Sequence, residues 1–181
     1  MTKYDRDAAV AAVTSFYEFF ATLPTSTPTE IIYPPPGGWP DITQENLAPL
    51  GKNADVIDLY KHLPYLNSGN IEIAPKTAPT WWFYQCLEPV FSEPGGLESL
   101  SPFGAGEIPE DVAILTEGHR YGSWLFLDTK NGKFGSFRCF YRLSSFRLFS
   151  RRRLYREGLI VHFGHNYRSD PARISRAYGT K

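Results

Sequence analysis

The sequence predicts an α+β fold, with N-terminal helices packed on a mainly antiparallel sheet and a basic C-terminal extension of uncertain order. Three observations predict it. Apolar residues recur at helical spacing through the first third of the chain; runs with strand chemistry cluster between Val112 and Phe134; and the charge balance changes sign after Gly135. The 181 residues suit one domain over 1–135 and a separate basic, Arg- and aromatic-rich segment over 136–181. A hydrophobic share of 42% and an aromatic share of 15% suffice for a core.

From about Asp5 to Phe20 the spacing predicts an amphipathic helix. Ala9, Val13, Phe16, Tyr17 and Phe20 share one face, and Asp5 and Asp7 suit a cap and a first turn that complement the helix dipole. Leu23 to Thr29 reads as a linker. Tyr33-Pro34-Pro35-Pro36-Gly37-Gly38-Trp39-Pro40 follows, extended by its prolines and bent by its glycines. It suits either a ligand for a proline-recognition domain or a rigid connection whose Trp39 plugs the core, and the second is the reading adopted. Thr43 caps a short helix through Leu47 to Leu50, with Gly51 as its stop. Asn53 caps another over Ala54 to Leu63, whose buried face is Val56, Ile57, Tyr60 and Leu63, bounded by Pro64.

Strand signals begin beyond Asn67, at Ile71-Glu72-Ile73 and at Trp81-Trp82-Phe83-Tyr84. Glu93 to Glu110, rich in Gly, Pro and Ser, reads as a loop. Then comes a three-stranded antiparallel meander from Val112 onward. Its first strand is Val112 to Leu115, Glu117 to Gly122 reads as a connection, and Ser123 to Leu127 is the second strand. Asp128-Thr129-Lys130-Asn131-Gly132 has hairpin chemistry, Asn131 and Gly132 both tolerating positive φ, before Lys133-Phe134 starts the return.

The zero net charge conceals a division. Residues 1–135 hold 8 Lys and Arg against 17 Asp and Glu, and residues 136–181 hold 11 against Glu157 and Asp170. Arg138, Arg142, Arg147, Arg151, Arg152, Arg153 and Arg156 alternate with aromatic residues, a mixture that suits nucleic acid or an anionic membrane. The same segment equally suits folding back on the acidic body, a solvated extension, or the translation of a mis-spliced transcript.

Reaction chemistry is not signalled. No GxGxxG, GxxxxGK[ST] or GxSxG motif occurs, and Cys86 and Cys139 stand apart from one another. His162 and His165 flank a glycine and lack further ligands at zinc spacing, so no metal, cofactor or catalytic residue is expected. Glu117, His119, Arg120 and Tyr121 gather in one connection, where loops on a rigid sheet carry function. No stretch approaches the length of a transmembrane span, and Met1 to Phe20 lacks the form of a secretory signal. A cytoplasmic location follows, with the nucleus as the alternative.

Tyr33 to Thr43, Leu50-Gly51-Lys52, Val56 to Leu59 and His62 to Tyr65 resemble a group of filamentous-fungal proteins, as do Asp111 to Gly118 and Leu125 to Gly132. The last two segments also resemble the strand–loop–strand core of the Smi1/Knr4 (SUKH) superfamily. The resemblance spans about Asp5 to Phe134 and ends there. It implies helices on a largely antiparallel sheet and a non-enzymatic protein-binding scaffold; fungal relatives are linked to cell-wall and stress signalling, bacterial ones to immunity against toxins. A protein partner is expected to meet Trp39 and Asp41, or Glu117, His119 and Arg120. Two alternatives stand beside this. One is an unconventional small enzyme, or accessory protein, of a fungal secondary-metabolite pathway, with Trp81 to Tyr84 as a pocket wall. The other is polyanion binding through Arg151, Arg152 and Arg153.

Overall fold

A computed structural model describes residues 4–24, 30–67, 71–82, 84–102, 108–118, 121–138 and 160–161. Helices and antiparallel sheets make an α+β fold, as the apolar spacing predicts.

Helix α1 spans Arg6–Ala21, and the Asp5 side chain caps it by accepting from the Ala8 N–H at 3.0 Å. Its inner side buries Tyr17 and Phe20 against Leu66 and Ile71, while Ala9 and Val13 are half-buried. Phe16 departs from expectation, at 44% exposed, because its position lies on the margin of that face. The pair β1 (Ile31–Ile32) and β2 (Tyr65–Leu66) closes the chain around this cluster.

Thr43 accepts from the Asn46 N–H at 3.1 Å and starts a turn that tightens into a 3₁₀ segment at Ala48–Leu50, with Gly51 left-handed after it. Helix α2 spans Ala54–His62, and the Asn53 side chain accepts from the Val56 N–H at 3.0 Å. Val56, Ile57, Leu59, Tyr60 and Leu63 are all buried. The predicted face is therefore the observed one, with Leu59 added to it.

Between Asn67 and Glu110 the structure corrects three expectations. Ile71 to Ile73 is not a strand; strand β3 is Thr77–Pro79 instead. Trp81 and Trp82 run without regular structure into helix α3, Tyr84–Ser92, which carries Pro89 inside it. The region read as a single loop includes the short helix α4, Gly96–Ser99. Aromatic preference for strands gave way here to tertiary contacts. Trp82 is 1% exposed, its ring stacked on Tyr60 at 4.5 Å.

The meander is present. Strands β4 (Val112–Ile114), β6 (Ser123–Asp128) and β7 (Lys133–Arg138) lie in that order, all antiparallel, with β8 (Ile160–Val161) beyond β7. Part of the predicted connection after β4 is itself a strand, β5 (Thr116–Gly118), which pairs with β3 in a second small sheet. In the hairpin the Asp128 carboxylate accepts from Asn131 N–H at 2.9 Å and from its side-chain amide at 2.8 Å. Only Gly132 takes positive φ, at 60°; Asn131 does not.

One joint holds the layers together. The main chain of Ile114 points away from β6 and would be an open sheet edge. Tyr60 Oη accepts from its N–H at 2.7 Å, and Trp82 Nε1 and Thr80 Oγ1 both donate to its carbonyl at 3.1 Å. Tyr65 Oη in turn donates to the Tyr60 carbonyl at 2.8 Å. Helix α2 is thus bonded to the sheet as well as packed on it.

Candidate functional site

Trp39 is half-buried, and its polar atoms face inward. Its N–H donates to the Lys61 carbonyl at 2.9 Å and its indole Nε1 to the Leu63 carbonyl at 2.8 Å. The ring packs on Tyr65 at 5.9 Å. These bonds satisfy carbonyls at the end of α2, which otherwise lack intrahelical partners. Trp39 therefore acts as the plug of a rigid connection. Asp41 is exposed, and its carbonyl accepts from the Asn46 side chain at 3.0 Å.

In the second half of the same helix, Arg6 bonds Asp58 at 2.9 Å, and Asp58 lies 3.3 Å from His62 Nδ1. That imidazole nitrogen also lies 2.8 Å from the Asp58 carbonyl. A carboxylate that orients an imidazole is half of an acid–base pair. Here the Arg6 guanidinium occupies it from the other side, so the group ties α1 to α2.

Lys52 is 6% exposed, and its Nζ donates to the Ile108 and Pro109 carbonyls at 3.3 and 3.0 Å. Burial pushes its ammonium down to about 8, and Asp111 opposes that shift. With Asn53 N–H donating to the Glu110 carbonyl at 2.9 Å, the lysine pins the approach to β4.

The region around β5 has a different character. Glu117 is half-buried in β5 opposite Ala78, rather than in a free loop. Beside it the Thr116 hydroxyl donates to the Ser123 carbonyl at 2.8 Å and accepts from Leu125 N–H at 2.9 Å, replacing a main-chain rung where the strand leaves β6. Thr77 Oγ1 likewise accepts from Ser123 N–H at 2.9 Å. Gly122 is packed so closely that a Cβ would run into the Lys76 carbonyl oxygen, and a Cβ on Gly118 would lie 2.7 Å from the Trp124 ring. Between them Tyr121 holds φ at 72° with 55% of its surface exposed, and Lys76 holds φ at 57°. Two non-glycine residues in the left-handed region, at touching turns, persist only where their surroundings over-determine them. The result is an exposed aromatic side chain on left-handed backbone, next to the closely packed Gly122.

Of the expected partner-binding residues, Trp39 serves the fold, Asp41 is available at the surface, and Glu117 flanks the Tyr121 turn. His119 and Arg120 lie outside the described residues, as do Arg151, Arg152 and Arg153. The sequence places Tyr121 in the same cluster as Glu117, His119 and Arg120 but not among the expected partner contacts, and it gives no sign of Lys76. The signal that marks Tyr121 is Gly118 and Gly122 bracketing the turn. Trp82, proposed as a pocket wall, is a core residue. Among the described residues no three of His, Cys, Asp and Glu are grouped to hold a metal ion, and no helix is long and apolar enough to cross a membrane.

Fold and site together define a small α+β protein in which, among the described residues, enclosed side chains such as Tyr60, Lys52 and Thr116 hold main chain and the left-handed Tyr121 is exposed. Compared with protein-family models, curated proteins and solved structures, the chain finds no match.

Proposed function

We propose that this chain is a non-enzymatic protein-interaction module of the Smi1/Knr4-like type, acting in the cytoplasm and meeting its partner at the Tyr121 turn. The observation that carries the reading is the backbone of that turn: Tyr121 at φ 72°, anchored through Gly122 on Lys76 and half exposed. An aromatic side chain presented without loss of backbone entropy is the usual anchor of an interface. Glu117 flanks it, and Asp41 adds a second exposed acidic point. The resemblance of Asp111 to Gly118 and Leu125 to Gly132 to the superfamily's core supports the same role. So does the use of Tyr60, Lys52 and Thr116, the best-enclosed polar groups, as main-chain partners.

The test is affinity capture on immobilised full-length chain from native extract, run beside Tyr121→Ala. A protein retained by the natural chain and lost from the variant supports the reading. Equal retention by both, or none by either, overturns it. A second reading rests on the charge of residues 136–181, which hold 11 Lys and Arg against two acids. It makes the segment a ligand for nucleic acid or an anionic membrane through Arg151, Arg152 and Arg153. Binding of this kind falls steeply with salt.

A further inference from the structure

Helix α1 carries a second seam, on the side away from the core. Ala8, Ala12, Ser15 and Phe19 follow one another at the alternating four-and-three spacing of a helix–helix contact, with Phe16 beside them and Leu23 just past the helix end. All six are exposed, Phe16, Phe19 and Leu23 by 44%, 63% and 41%. A solvent-facing helix side normally carries charge, yet from Ala8 to Tyr17 there is none. The seam also has a gradient of size, small in its N-terminal half and large in its C-terminal half.

We infer that α1 pairs with α1 of a second copy, antiparallel across a two-fold axis passing between Ala12 and Ser15. That arrangement sets Phe19 over Ala8 of the second copy and Ala12 against its Ser15, and brings the Phe16 of each copy together on one flank. A two-fold contact repeats every such pairing, so the single seam is complementary to itself. A parallel pairing would set Phe19 on Phe19 and leave the alanines apart. No like charges meet, because Arg6 is engaged by Asp7 and Asp58 and Glu18 by the Tyr33 hydroxyl at 3.2 Å. The seam offers at most on the order of 500 Å² per copy and ~1,000 Å² in all, below the size of a standard specific interface and in the range of a weak, transient one. The pairing is therefore weak. It rests on a different element from the Tyr121 turn and stands without it.

Sedimentation velocity of the full chain, across roughly two decades of concentration centred near 50 µM, tests it. The expected result is a monomer that becomes a dimer and goes no further. Phe19→Ser and Ala12→Arg, at the large and the small half, each weaken it at least tenfold. Both positions are exposed, so far-UV circular dichroism and the thermal midpoint should stay unchanged; Ser15→Arg replaces Ala12→Arg if that variant misfolds. A monomer at every concentration overturns the inference, as does assembly beyond the dimer. Loss on Phe19→Ser with no effect of the arginine variants also overturns it, since the aromatic residues would then be engaging something other than the small half.

Discussion

Tyr60 joins a helix to a sheet through one hydroxyl group, and its environment sets what losing it costs. Its Oη is fully enclosed and accepts from Ile114 N–H at 2.7 Å, on the open edge of β4. Tyr60→Phe leaves that N–H buried and unpaired, so stability to urea should fall by about 1–3 kcal/mol. Burial raises the Tyr60, Tyr65 and Tyr17 hydroxyls well above the ordinary 10.0, and raises Tyr4 to about 12 with help from Asp58 and Asp55. Each such group stabilises the fold fully below pH 10 and loses that contribution as pH rises through the folded value. Lys52 acts in the opposite sense. Its folded value of about 8 lies below 10.5, so in that window the unfolded chain holds a proton that the folded chain has released. Stability should therefore climb from pH 8 toward 10 before the tyrosines reverse it. Urea midpoints across that range check this: the climb should be present in the natural chain and absent in Lys52→Met.

At the level of elements, what the sequence reveals depends on how local the cause is. The caps at Asp5, Thr43 and Asn53 are local chemistry, readable from a few neighbouring residues, and each forms its expected contact; the hairpin after Asp128 forms as well, with positive φ at Gly132 alone. Strand β3 and helix α3 were missed because their causes are remote. Trp82 leaves the extended pattern to reach Ile114, and Thr77 pairs with Gly118 across the chain. Phe16 shows the same limit, since helical spacing marks an apolar side without revealing where the core ends. The Tyr121 turn was half legible. The connection was picked out as functional, but the close approach of Gly122 to Lys76 exists only after β3 and β5 pair. Gly122→Ala is thus expected to unseat the turn from β3 and to destabilise the chain, whereas a glycine replaced by alanine at an open, compatible position stabilises by about 0.4–1 kcal/mol. A thermal midpoint measured beside Gly135→Ala, where nothing lies within 4 Å of an added Cβ, makes the comparison.

Across the whole molecule, charge and exposed aromatic residues divide the surface by use. Residues 1–135 are acidic and 136–181 basic, so the intact chain is neutral only as a sum. If the basic segment binds a polyanion, affinity for a single-stranded oligonucleotide should drop about tenfold or more as salt rises from 50 to 200 mM, and should be lost on replacing Arg151, Arg152 and Arg153 with Ala. Filter binding at the two salt concentrations measures it, and salt-independent retention would exclude this use of the segment. The proposed role concerns the body instead: Tyr60, Lys52 and Thr116 are committed to main chain, and among the described residues Tyr121 is the exposed aromatic residue with left-handed backbone, proposed as the contact with another protein. Photo-crosslinking tests this most directly, with a benzoylphenylalanine placed at Tyr121 and, as a control, at the exposed Lys130. A discrete protein adduct from position 121 and none from 130 is the predicted result. The same faint pattern from both positions, or no adduct from either, would contradict it.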